Sequence, residues 1–208
     1  MKRQLYFIAS LLLITSCAFS QNKSYKNANQ KDSHKTIPPS PFLITSKETL
    51  EPSIMGSNMR TLIHSTQTNK QFSCVEAVLA PKKIAGSPHK HDSLDELMYV
   101  LEGTASVLMG NEVIEVTAGS WHLRPRGIVH VVWNSGNENL RLIDMYFNQN
   151  FEDYLEEVYH QIIPEVIQKN LTFEDPKIAK RIAELDKEYG LTYYPERQQL
   201  LLEKYGLS

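Results

Sequence analysis

Three histidines and one glutamate in this 208-residue chain are spaced to hold a metal ion. His89-Lys90-His91 puts two imidazoles two residues apart, and Glu96 follows five residues later. In an extended segment residues i and i+2 point to the same face, so His89 and His91 can meet one ion. Glu96 opens the next apolar run and can return a carboxylate to that ion across a short loop. His130 follows Pro125-Arg126-Gly127, a turn that could aim a strand-borne histidine inward. Three imidazoles and a carboxylate suit one divalent transition metal ion (Fe, Mn, Ni, Co, Cu or Zn), and these ligands do not choose among them. On an octahedral ion four protein ligands leave about two positions for water, substrate or dioxygen. Glu96 is also the candidate catalytic residue, since a carboxylate that leaves the metal, or stays partly bound, can take a substrate proton as general base. His34, His64, His122 and His160 lack such a setting and read as surface or packing residues. His122 neighbours the second cluster, with strand alternation expected to turn it away.

The elements that must position these groups read as short strands. Met59–Ser65 and Phe72–Ala80 are rich in aromatic and β-branched residues. Glu96–Leu101 ends at the turn signal Glu102-Gly103. Ala105–Met109, Gly110-Asn111 and Glu112–Val116 form a tight hairpin pattern. Trp121–Arg124, Val129–Trp133 and Leu140–Phe147 supply further strands, and this near-regular spacing predicts an all-β sandwich or barrel. The period then changes. Phe151, Leu155, Val158 and Ile162 recur at helical spacing, with Pro164 expected to limit the helix. Asp175-Pro176 reads as an N-cap with proline at N1, and Ile178, Ile182, Leu185 and Tyr189 make a second helical face closed by Gly190. Arg197–Tyr205 is a candidate third helix.

The N-terminus reads as an address. Met1-Lys2-Arg3-Gln4 is basic, and Leu5 to Ile14 is apolar but too short for a bilayer span of roughly 20 residues. Two cleavage readings compete. Ile14-Thr15-Ser16-Cys17 resembles a bacterial lipobox, with Cys17 the lipidation candidate and the signal ending at 16. Ala18-Phe19-Ser20 is a small-x-small site that would start the mature chain at Gln21. Both imply export, to the periplasm or a lipid-anchored position in a bacterial cell envelope, with membrane contact only through that anchor. Residues 1–20 are therefore assigned to the signal, 21–54 to a polar linker and arm, 55–148 to the barrel and 149–208 to a helical tail. The net charge of −2 gives no electrostatic reason to expect a nucleic-acid partner. Two cysteines build neither a disulfide scaffold nor a four-thiolate zinc site, and Cys74 reads as a buried, inert thiol.

The two histidine clusters resemble the cupin family. Its first motif runs Gly, five residues, His-x-His, three or four residues, Glu, six residues, Gly. Here Gly86 stands three residues before His89 instead of six, and the remainder fits through Glu96 and Gly103. The second motif fits throughout, at Gly119, Pro125-Arg126-Gly127, His130 and Asn134. The resemblance covers about residues 55–148. It implies a double-stranded β-helix (jelly-roll) barrel with a C-terminal helical tail, and metal held by His89, His91, Glu96 and His130. Asn134 is expected to be structural. The tail, with Phe151-Glu152-Asp153-Tyr154, is similar to that of single-domain cupins like the quercetin dioxygenases. Many such relatives are homodimers, and the tail helices could cover a barrel edge.

Cupins include dioxygenases, isomerases, decarboxylases, lyases and non-catalytic binders, so the fold alone does not fix the chemistry. The leading expectation is an exported metal-dependent, dioxygenase-like enzyme acting on a small organic substrate, a phenol being one candidate. Its pocket would be lined by Met98, Val100, Val132 and either Phe72 or Val75, an apolar wall suited to an aromatic ligand. The alternatives are a non-catalytic periplasmic small-molecule binder and a metal-dependent isomerase or lyase on a sugar or acid. The last should need polar side chains inside the barrel, and the strands offer few beyond Glu76 and Arg124.

Overall fold

The computed structural model describes residues 38–208. The segment read as an export signal, its two cleavage readings, Cys17 and the first part of the expected polar arm lie outside them. Among the described residues ten strands are present: β1 Ser57–Ile63, β2 Phe72–Leu79, β3 His89–His91, β4 Asp95–Glu102, β5 Thr104–Met109, β6 Glu112–Thr117, β7 Trp121–Arg124, β8 His130–Asn134, β9 Leu140–Phe147 and β10 Leu191–Tyr193. They make two five-stranded antiparallel sheets, ordered β1-β2-β9-β4-β7 and β10-β3-β8-β5-β6. This is the all-β barrel read from the sequence, with a C-terminal helical part.

Alternation along the strands decides what lies inside. On β9, Leu140, Leu142, Asp144 and Tyr146 are buried and the residues between them half-buried. Directly paired residues share a face, so the rows Glu96–Tyr146–Ser73 and Met98–Asp144–Val75 run across β4, β9 and β2 on the inner face. Leu79, Met98, Val100, Ala105, Val107, Val116, Val132, Leu140 and Leu142 pack the interior towards one end of the barrel. Nearer the histidines the filling is aromatic, with Met59, Val75, Leu94, Tyr146, Phe151, Tyr154 and Tyr189 in one cluster.

The tail comprises α1 Phe151–Glu157, a π-helical turn at Val158–Ile162, α2 Ile163–Gln168, α3 Pro176–Tyr189 and α4 Pro195–Tyr205. Pro164 does not end the first helix. The widened turn bonds the Ile163 N–H to the Val158 carbonyl, five residues back, and this shift of the ladder accommodates a residue that lacks an N–H. The Asp175 carboxylate caps α3 by accepting from the backbone N–H of Lys177 at 3.0 Å, an interaction worth about 1 kcal/mol. Gly190 then closes α3 at φ +63°, where a Cβ would also stand 3.2 Å from Asp92. That turn delivers β10 to the edge of β3, pairing Leu191 with His91 and Tyr193 with His89. A strand rather than a helix therefore covers this edge. Helix α4 covers the outer face of the second sheet, with Leu201 and Leu207 packed on Val131 and Trp133, and Tyr205 5.0 Å from the Trp133 ring.

Candidate metal centre

The antiparallel register sets His89 opposite His130, and alternation returns His91 to the same side. Glu96 arrives from the other sheet at the start of β4. One donor atom from each of His89, His91, Glu96 and His130 lies within 4.8 Å of the others. Sequence spacing and structure thus bring together the same four residues. Asn134, also in the second motif, is structural: its amide donates to the Leu79 carbonyl at 3.0 Å and the Glu138 carbonyl at 2.8 Å.

Backbone carbonyls orient two of the rings. His89 Nδ1 is 2.8 Å from the Ser87 carbonyl and His130 Nδ1 is 2.9 Å from the Ile128 carbonyl. Each ring can donate there, which fixes the tautomer with a bare Nε2, the arrangement a metal-binding imidazole needs. Gly127 shapes the approach to His130 at φ +77°, and its N–H donates to the His91 carbonyl at 2.8 Å, tying the two loops together. Phe151 stands edge-on over His91 at 4.9 Å, and the Tyr193 ring lies 5.6 Å from His89. The tail therefore shields the histidines from solvent, and His91 is fully buried.

Burial, followed by the charges His130 and His91 would carry, pushes His89 down to about 3, so its ring is neutral and free to bind a metal. Burial would raise Glu96, but the Arg124 guanidinium and then His130 outweigh it and hold the carboxyl well below its usual range. Glu96 Oε2 lies 2.9 Å from His130 Nε2, and Oε1 lies 3.4 Å from His91 Nε2. These contacts lack hydrogen-bond geometry. Both His91 nitrogens, His130 Nε2 and Glu96 Oε2 are buried with no hydrogen-bond partner. Buried polar atoms are rarely left so. Unpartnered imidazole nitrogens facing a carboxylate fit a divalent transition metal ion.

Two neighbours of Glu96 complete the inner face. Arg124 Nε is 3.1 Å from Glu96 Oε2, and the same guanidinium donates to Asp144. Burial pushes Asp144 up to about 6, its share of Arg124 notwithstanding. Residue spacing alone does not single out Asp144, Tyr146, Phe151 and Tyr193 as site neighbours. An aspartate in the inward phase of an apolar strand was the available signal, because such a charge needs a partner.

Three expectations change. Phe72 is not an inner-wall residue: it pairs with Phe147, one step out of phase with the inward Ser73–Tyr146 row, and their rings meet at 6.3 Å outside. Val75, the other candidate from that strand, is the inward one. Glu76 also faces outward, bound by Arg60 and Arg141. His122 shares the inner face with Arg124 and sits opposite Met98. Met98, Val100 and Val132 do line the interior, closely packed among core side chains. Elsewhere, His64, Asp153 and Glu156 approach one another at the surface, where Thr61 and Asn150 already donate to the carboxylates.

The family model for the Cupin domain matches residues 75–146. The uncharacterized protein MJ1618 of Methanocaldococcus jannaschii is 28% identical over 88 residues, 42% of this chain and 70% of that protein. Among solved structures, KdgF from Halomonas sp. is 19% identical with a TM-score of 0.42, covering 51% of this chain and 90% of that one. A protein titled a predicted oxalate decarboxylase from Thermotoga maritima is 24% identical with a TM-score of 0.41, covering 44% and 79%. The matched segment includes strands of both sheets and both histidine motifs, so residues 75–146 are similar to a cupin domain.

Proposed function

We propose that the chain is an exported, metal-dependent enzyme of the dioxygenase type acting on a small organic substrate. The observation that carries this reading is the buried convergence of His89, His91, His130 and Glu96 with unpartnered donor atoms. A bound divalent ion would supply Lewis-acid polarisation of a substrate oxygen and, where redox-active, a route to dioxygen. The chain's own residues do the remaining work. The Ser87 and Ile128 carbonyls hold the rings of His89 and His130 in the binding tautomer. Phe151 and Tyr193 exclude water above His91 and His89. Glu96, kept ionised mainly by Arg124, is the group able to accept a proton from a substrate hydroxyl. Met98, Val100, Val132 and Val75 supply an apolar wall. The basic-then-apolar start of the sequence supports export.

A second reading, an isomerase or lyase on a sugar or acid, is favoured by a different observation. Arg124, Asp144 and His122 give the interior more polar groups than the sequence suggested.

Metal analysis of purified protein, followed by oxygen uptake with flavonols and catechols, tests the proposal. The expected result is about one transition metal ion per chain and oxygen consumption with at least one substrate. Metal bound without any oxygen uptake would count against the leading reading and leave turnover of sugar acids as the next assay.

A further inference from the structure

The inner face of the first sheet buries a charged pair beyond the four candidate metal ligands. Arg124 enters from the edge strand β7, directly opposite Glu96 on β4, and reaches across β4 to Asp144 on β9. Glu96 and Arg124 are each 4% exposed and Asp144 7%. Burying three charges carries a desolvation penalty that their mutual attraction seldom exceeds, so stability is a weak reason for the arrangement. The two oxygens of Glu96 are not equivalent within it. Oε2 faces Arg124 Nε at 3.1 Å and His130 Nε2 at 2.9 Å, while Oε1 faces only His91 Nε2, at 3.4 Å.

We propose that Arg124, anchored by Asp144, is a positioning residue whose ion pair on the Oε2 side fixes how the Glu96 carboxylate faces the imidazoles. The inference rests on the metal-binding reading above and deepens it. A carboxylate fixed from one side by the guanidinium would be hindered from closing both oxygens on a bound cation, which would leave room for an exogenous ligand. Asp144 has its own part, because it fixes the guanidinium on the far side of β4 and balances its charge. Lysine could not substitute, since a single ammonium lacks the planar fork that serves two carboxylates in different directions.

Mn(II) alone, added to the mature full-length protein, is the probe, and water-proton relaxation per bound ion is the reading. The variants are Arg124→Lys, the charge-neutral pair Arg124→Met with Asp144→Asn, and Asp144→Asn alone. All are expected to retain Mn(II). Relaxation per ion should fall by about twofold in Arg124→Lys and in the double variant, as the second carboxylate oxygen displaces one of about two bound waters. Asp144→Asn should fall in the same direction by less, and it carries the test if the double variant fails to fold. Relaxation per ion equal to wild type in Arg124→Lys and in either Asp144 variant overturns the positioning role. A purely structural role would lower the thermal midpoint of the metal-free protein and leave relaxation per ion unmoved. Wild-type protein that takes up no Mn(II), nor any other transition metal, removes the metal reading itself, an outcome distinct from normal uptake with unchanged relaxation.

Discussion

The first sheet carries two arginine–carboxylate clusters, one on each face, and they are built differently. On the outer face Glu76 is a carboxylate shared by two arginines. It accepts from Arg60 Nε at 2.9 Å through one oxygen and from Arg141 Nη2 at 2.9 Å through the other, and Arg141 also bonds Glu102. Solvent reaches both arginines, whose side chains are 22% and 18% exposed. On the inner face the ratio reverses, with one guanidinium between the carboxylates of Glu96 and Asp144 and three imidazoles beside them. Both glutamates end below their usual range, because arginine outweighs the effect of burial in each case. The outer cluster satisfies both oxygens of its central carboxylate from within the chain. The inner one leaves Glu96 Oε2, His91 Nε2 and His130 Nε2 without hydrogen bonds. The same residue types therefore serve as a brace where the donors suffice and as a receptor where cationic partners fall short.

The sharpest way to break this comparison is to remove one group from each cluster. His130→Ala should weaken transition-metal affinity by at least about 100-fold in chelator competition, since loss even of a group that only orients a ligand costs 10–100-fold. The metal-free variant should unfold close to wild type. Glu76→Gln should do the reverse. It exchanges charge-assisted bonds for neutral ones and should lower the unfolding free energy by about 1–3 kcal/mol in denaturant titration, with metal content unchanged. Unaltered metal binding in His130→Ala would remove the site assignment, and metal loss in Glu76→Gln would remove the division of labour between the faces.

What was legible in the sequence follows the same division. The four donors sit on short segments where local rules suffice: alternation aligns His89 with His91, and a turn sets up His130. The long strands showed themselves by their apolar period, whereas three-residue β3 and β10 are too short to have one. The Arg124–Asp144 pair was hidden for another reason. It joins β7 to β9 across β4, a register that turns and partner strands set jointly. Phe72 illustrates the limit, since alternation made Phe72 and Val75 rival candidates for the inner wall and only pairing with β9 separates them. Pro164 reads as a helix limit in the sequence because the π-helical turn that accommodates it leaves no mark in the helical spacing.

Acid should sharpen the contrast by a smaller amount. A carboxyl whose folded pKa is depressed contributes stability that is present above its unfolded pKa and lost as pH falls through the folded value. Glu76 lies below its ordinary 4.5, so part of the wild-type stability should disappear below that pH, and Glu76→Gln should flatten the curve in the same window. Asp95, held down to about 2 chiefly by its hydrogen bonds from Arg126, extends the loss from about 4 towards 2. That pair is solvent-exposed, so its share should shrink in high salt while the Glu76 share persists.

The smallest expected effect tests how tightly the outer face is packed. Cys74 lies in the outward row Leu123, Leu97, Met145, Cys74, which crosses β7, β4, β9 and β2. It is 6% exposed, and burial, with a lesser contribution from Asp144, pushes its thiol up to about 12. A thiolate is the reacting species, so a thiol reagent at pH 8 should label Cys74 only as the sheet opens, with a rate that rises with denaturant in step with unfolding. Glu76→Gln, by loosening β2 against β9, should speed that labelling, whereas His130→Ala should leave it unchanged. Rapid labelling of the native wild-type chain would mean that the outer face is open at β2, and the brace attributed to Glu76 would then have to be reassigned.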